Sequence, residues 1–93
     1  MNKRESVVMD FLNNECRARI HLKDGDYFLV YAQKRDDGLY KTIFKEALGR
    51  KTFNNLLENN LIENYRGTTN IWIANESVEL NQTPIQVFSN SNN

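Results

Sequence analysis

Apolar positions along this chain switch between two spacings, and the switches mark its elements. Within residues 4–14, Val7, Val8, Phe11 and Leu12 recur at i, i+1, i+4 and i+5, which sets them on one stripe of a helix. Arg4, Asp10, Asn13 and Asn14 take the other side. The spacing then falls to two. In "CRARIHLK", residues 16–23, Cys16, Ala18, Ile20 and Leu22 alternate with Arg17, Arg19, His21 and Lys23. That alternation predicts a strand with one buried face and one basic face. Asp24-Gly25 is a strong hairpin-turn pair, and "YFLVYAQ" follows it. With those two residues as the loop, Leu22 pairs with Tyr27, Ile20 with Leu29 and Ala18 with Tyr31 on the core side. Phe28 and Val30 then share the side of Arg17, Arg19 and His21.

After a charged turn at "KRDDG", residues 34–38, the helical spacing returns in Leu39, Tyr40, Ile43, Phe44, Ala47 and Leu48. Gly49 breaks or caps that helix. A further helix is predicted over 51–59, with Phe53, Leu56 and Leu57 inward and Asn60 as a left-handed stop. "LIENY" and "NIWIA" read as two short strands joined around "RGTT", with Gly67 in the turn and with Leu61, Ile71 and Ile73 assigned to the core. The predicted order is helix, hairpin, helix, helix, hairpin, tail. It describes a small α+β domain over residues 1–83 and an extended, fraying tail over 84–93.

Composition narrows the function. Ninety-three residues with 40% apolar content support one modest core. Cys16 is the single cysteine, so an internal disulfide and a cysteine-based zinc site are excluded. The start lacks the apolar run of a secretory leader, and Tyr27 to Ala32 is too short to span a bilayer. A cytoplasmic protein with no membrane partner is expected, and the acceptor-like Asn75-Glu76-Ser77 and Asn81-Gln82-Thr83 are read as incidental. No enzyme, cofactor or metal is expected. His21 is the only histidine, the Asp24/Asp26 and Asp36/Asp37 pairs suit turns, and the four glycines form no phosphate loop.

Formal charge sums to zero, but unevenly. Residues 39–56 hold Lys41, Lys45, Arg50 and Lys51 against Glu46, whereas residues 24–38 carry four aspartates against Lys34 and Arg35. Over residues 39–75 the chain resembles the second half of a winged-helix domain. The resemblance rests on the tight turn in "EALGRKTF", on Leu56, Asn60, Leu61 and Ile62 at the second helix's end, and on the hairpin that follows. It departs from the usual pattern at Lys45 and Arg50 and in the N-terminal hairpin. The resemblance implies a duplex DNA-binding protein, a homodimeric transcription regulator of phage or mobile-element type. Arg50, Lys51, Thr52, Asn54 and Asn55 would then face the major groove, with Arg66, Thr68, Thr69 and Asn70 on the wing tip.

Three other features stay open on sequence grounds. The Arg17/Arg19/His21/Lys23 face reads either as a solvated strand guarded by charge or as a grip for a phosphate backbone and stacked bases. Cys16 reads as a small core residue. Trp72 either packs or anchors a protein partner, and an interaction module working through Trp72 or the 84–88 segment is the alternative to DNA binding.

Overall fold

Asn2 opens the first helix, its side-chain oxygen accepting the Glu5 N–H at 2.8 Å. The structure, a computed structural model, describes residues 1–75. The expected tail over 84–93, the 84–88 segment and the boundary at 83 lie outside the described residues. Helix α1, Lys3–Asn14, buries Val8, Met9, Phe11 and Leu12. Val7, expected inward, is exposed, and the carboxylate of Glu5 is buried in its place. Glu5 Oε2 is satisfied there by the Asn55 side-chain amide at 3.1 Å.

Strands β1 (Arg19–Lys23) and β2 (Asp26–Lys34) form the expected hairpin. Ile20 faces Leu29 and Leu22 faces Tyr27 across it, in the predicted register. Asp24 and Gly25 both take positive φ, as a two-residue turn of this kind requires.

The segment expected to form the second helix is instead a nine-residue strand, β3, Tyr40–Leu48, paired antiparallel with β2. This overturns the winged-helix order. Two facts explain it. Asp37-Gly38 is a second hairpin turn, with Gly38 at φ +87° and the Leu39 N–H donating to Asp37 Oδ1. A bulge at Lys45 then shifts the strand's phase: Val30 faces Phe44 while Leu29 faces Glu46. The shift makes apolar positions on two faces mimic a helical spacing. The β-branched and aromatic run Tyr40, Thr42, Ile43, Phe44 favours the strand.

Helix α2, Arg50–Glu58, follows at once, with Phe53 and Leu56 buried. Asn60 ends it at φ +57°, the expected left-handed stop. Strands β4 (Ile62–Asn64) and β5 (Ile71–Ala74) complete a five-stranded antiparallel sheet of order β3-β2-β1-β5-β4. Both helices pack on one face of this sheet, over Ile20, Leu29, Ile62 and Trp72. Tyr27, Phe53 and Trp72 bring their rings together there, Tyr27 stacked on Phe53 at 3.9 Å and Trp72 edge-on to Phe53 at 4.7 Å. Trp72, not Ile71 or Ile73, is therefore the core residue of β5, and Leu57 is exposed. No helix among the described residues is long and apolar enough to cross a membrane.

Candidate nucleic-acid interface

Because side chains alternate along a strand, a sheet with its helices on one side presents a second face. Among the described residues no helix packs on it. Strand β1 brings Arg19, His21 and Lys23 to this face, beside Val30, Phe28 and Asp26 of β2, with Arg17 just ahead of the strand. Strand β3 adds Tyr40, Thr42 and Phe44. On the far side β5 adds Ile71 and Ile73, and the β4 end adds Glu63 and Tyr65.

Cations and rings interleave across this surface. The Arg17 guanidinium lies over the Tyr40 ring, 4.1 Å from its centre, and that of Arg19 over the Tyr65 ring at 4.0 Å. Arg66 approaches Tyr65 at 5.6 Å, and the Lys23 ammonium lies 5.5 Å from the Phe44 ring. Phe44 also meets Phe28 and His21 edge-on, at 5.6 and 6.3 Å. Val30, which faces Arg19 across the hairpin, is only 2% exposed yet stands apart from the helix-side core. Tyr40 and Phe44 stay open, at 43% and 47% exposure. Tyr40 and Tyr65 belong to opposite margins of the sheet, about 19 Å apart for four interstrand gaps of ~4.8 Å.

His21 sits in the middle of this face. Burial of its ring and, secondly, the Arg19 charge lower its pKa below the ordinary 6.5, so at neutral pH it is an uncharged hydrogen-bonding ring. The unfolded chain therefore binds a proton near pH 6.5 that the folded chain resists. Stability contributed by neutral His21 is complete above about pH 6.5 and is lost as pH falls through the lower folded value. Thermal melts between pH 5 and 8 are expected to show this decline. His21→Gln should remove its share of the slope, and an unchanged slope would show that other groups cause it.

The residues expected to read DNA are placed differently. Arg50, at the start of α2, donates to the Gly25 carbonyl, and Asn55 is committed to Glu5. Thr52 is half-buried, and Lys51 and Asn54 share the outer side of α2 with Leu57 and Glu58. The helix lies on the sheet and directly follows strand β3, so it is not the second helix of a helix-turn-helix. The hairpin expected as a wing supplies two of the sheet's five strands, with β5 hydrogen-bonded to β1. Its turn is tied inward: Thr68 Oγ1 donates to the Ile71 carbonyl at 3.0 Å, and the Asn70 carbonyl accepts the Leu22 N–H at 2.9 Å. Thr69 is exposed in that turn and Arg66 turns to Tyr65. Cys16, expected in the core, is exposed.

The structure thus brings together the second basic set, Arg17, Arg19, His21 and Lys23, and not the first. Tyr40, Phe44 and Tyr65 are the site residues that the sequence reading missed. The available signal was Tyr40-x-Thr42-x-Phe44, a period-two run directly after an Asp-Gly turn. Comparison with protein family models, with curated proteins and with solved structures finds no match.

Proposed function

We propose that this chain is a nucleic-acid-binding module that takes a single strand across the uncovered face of its sheet. The observation that carries this reading is the alternation of guanidinium and aromatic ring over that face, Arg17 on Tyr40 and Arg19 on Tyr65. Unpaired bases stack on exposed rings, and phosphates take the cations between them. Paired bases in a duplex hide those faces, which favours a single strand over the duplex implied by a groove-reading helix. Zero net charge fits a site that works through a few placed cations and stacking instead of a broad positive field.

A protein partner is the second reading, favoured by one feature. Edge strand β3 carries exposed Tyr40 and Phe44, with exposed Leu39 just ahead of it, and offers its outer edge for strand addition, by a partner or a second copy of this chain. Lys41, Lys45 and the bulge guard that edge, as charges and bulges do on strands that avoid pairing.

Fluorescence anisotropy with labelled single-stranded and duplex 12-mers at 50 and 200 mM salt separates the readings. The expected result is saturable single-strand binding, with duplex bound at least tenfold more weakly. Using Arg17, Arg19, Lys23 and one further contact, the slope of log K on log salt should be about −3 at ~0.7 per phosphate. Absence of single-strand binding at 50 mM salt by folded protein overturns the proposal.

A further inference from the structure

On the β3 side of the arginine pair the sheet face sinks into a hollow of about 130 Å³. Val30 and Ala32 form its floor, Tyr40 and Thr42 one wall, and His21 the inner end, with Arg17 and Arg19 at the mouth. We propose that this hollow seats one base of the strand and admits pyrimidines in preference to purines. The proposal rests on the single-strand reading of the sheet face and adds selectivity to it.

Size argues first. Apolar cavities of ~150 Å³ accept a benzene-sized ring. A hollow slightly smaller than that, open at its mouth, is closer in size to one six-membered ring than to the fused pair of a purine. On the other side of the two arginines lies a larger hollow of about 320 Å³, bounded by Tyr65, Ile73 and Leu12. That one sets no comparable limit, so selectivity belongs to the Tyr40 side.

The lining argues second. The floor is aliphatic, and the neighbouring ring is an exposed tyrosine, which suits one face of a planar base. The polar groups sit at the rim: the Thr42 hydroxyl and the His21 ring both donate or accept, matching the mixed donors and acceptors on a pyrimidine edge. Arg17 and Arg19 stand where the flanking phosphates would pass. Arg17 now covers the Tyr40 ring at 4.1 Å. An entering base takes that ring face and the guanidinium moves to the phosphate, exchanging a cation–ring contact for a charge-assisted hydrogen bond.

The test compares labelled oligo(dT) and oligo(dA) of equal length against wild type and Ala32→Leu, which fills the hollow from its floor. Wild type is expected to bind oligo(dT) at least tenfold more tightly. Ala32→Leu should bring the two within about twofold, mainly by weakening oligo(dT), with oligo(dA) unchanged. Equal binding of both strands by wild type overturns the seat and leaves the single-strand reading standing. A preference that survives Ala32→Leu also overturns it, since flexible pyrimidine strands bind more easily to any stacking surface. Binding of neither strand removes the parent reading, and the seat with it.

Discussion

Replacing Arg17 and Arg19 together by glutamine is expected to weaken single-strand binding by about a hundredfold at 50 mM salt. Each guanidinium–phosphate hydrogen bond contributes about 1.5–3 kcal/mol, and every 1.4 kcal/mol is tenfold in affinity. Two lost contacts therefore give at least two decades. The salt slope should flatten by about 1.4, two phosphates at ~0.7 each. Glutamine is chosen because Val30 faces Arg19 across the hairpin and is almost fully buried, so the neighbouring stem is worth keeping. It keeps much of the stem and removes the charge. A melting curve close to wild type shows that the face is intact, and the same titration with Lys51→Ala/Asn54→Ala supplies the contrast. Those two residues sit on the outer side of α2, behind the sheet, and should leave affinity within about twofold. The opposite ranking would return the binding site to α2 and remove the sheet face from consideration.

That contrast also shows which parts of the molecule were legible in the sequence. The β1–β2 hairpin was, because strict alternation and Asp24-Gly25 both point to one register, and Ile20–Leu29 and Leu22–Tyr27 pair as that register requires. Helix α2 was legible too, through Phe53 and Leu56 inside and Asn60 at its end. Strand β3 was not. One extra residue at Lys45 moves Ala47 and Leu48 by a position, and the resulting spacing from Leu39 onward matches a helical stripe. Strand β5 was legible as a strand, but its phase was not, for a different reason. Ile71, Trp72 and Ile73 are all apolar, so period two has no polar partner to set its phase, and the rings of Tyr27 and Phe53 decide which one turns inward.

The site inherited both errors. With β3 read as a helix, Tyr40 and Phe44 belonged to an inward stripe, and the basic face of β1 had only Phe28 and Val30 beside it. Pairing β3 to β2 brings two exposed rings to that face, and pairing β5 to β1 carries Tyr65 to its other margin. Arg19 then has a ring that lies 46 positions further along the chain, which gives no reason to expect it. The four basic residues were visible as a set; the surface they belong to is a product of tertiary pairing.

Trp72→Ala is expected to destabilise the whole domain by about 3–5 kcal/mol, the range for removing a buried aromatic without refilling its space. Against a total of about 5–15 kcal/mol for a domain of ordinary stability, that leaves a marginal fold. At roughly 4–8 °C per kcal/mol for a domain of this size, the melting temperature should fall by about 12 °C or more. The structural ground is specific. Trp72 is 7% exposed, pairs with Ile20 across β1–β5, and lies edge-on to both Phe53 and Tyr27, at 4.7 and 5.7 Å. It joins α2 to both halves of the sheet. Trp72→Phe keeps a ring in that space and should lose less than half as much. An anchor for a protein partner would behave in the opposite way, since a surface tryptophan can be removed with little effect on melting and a large effect on binding. Circular dichroism melts of the two variants decide between them. A Trp72→Ala chain that melts with wild type would put the indole back on the surface and reverse the phase of β5. It would also take Ile71 and Ile73 off the face assigned to nucleic acid.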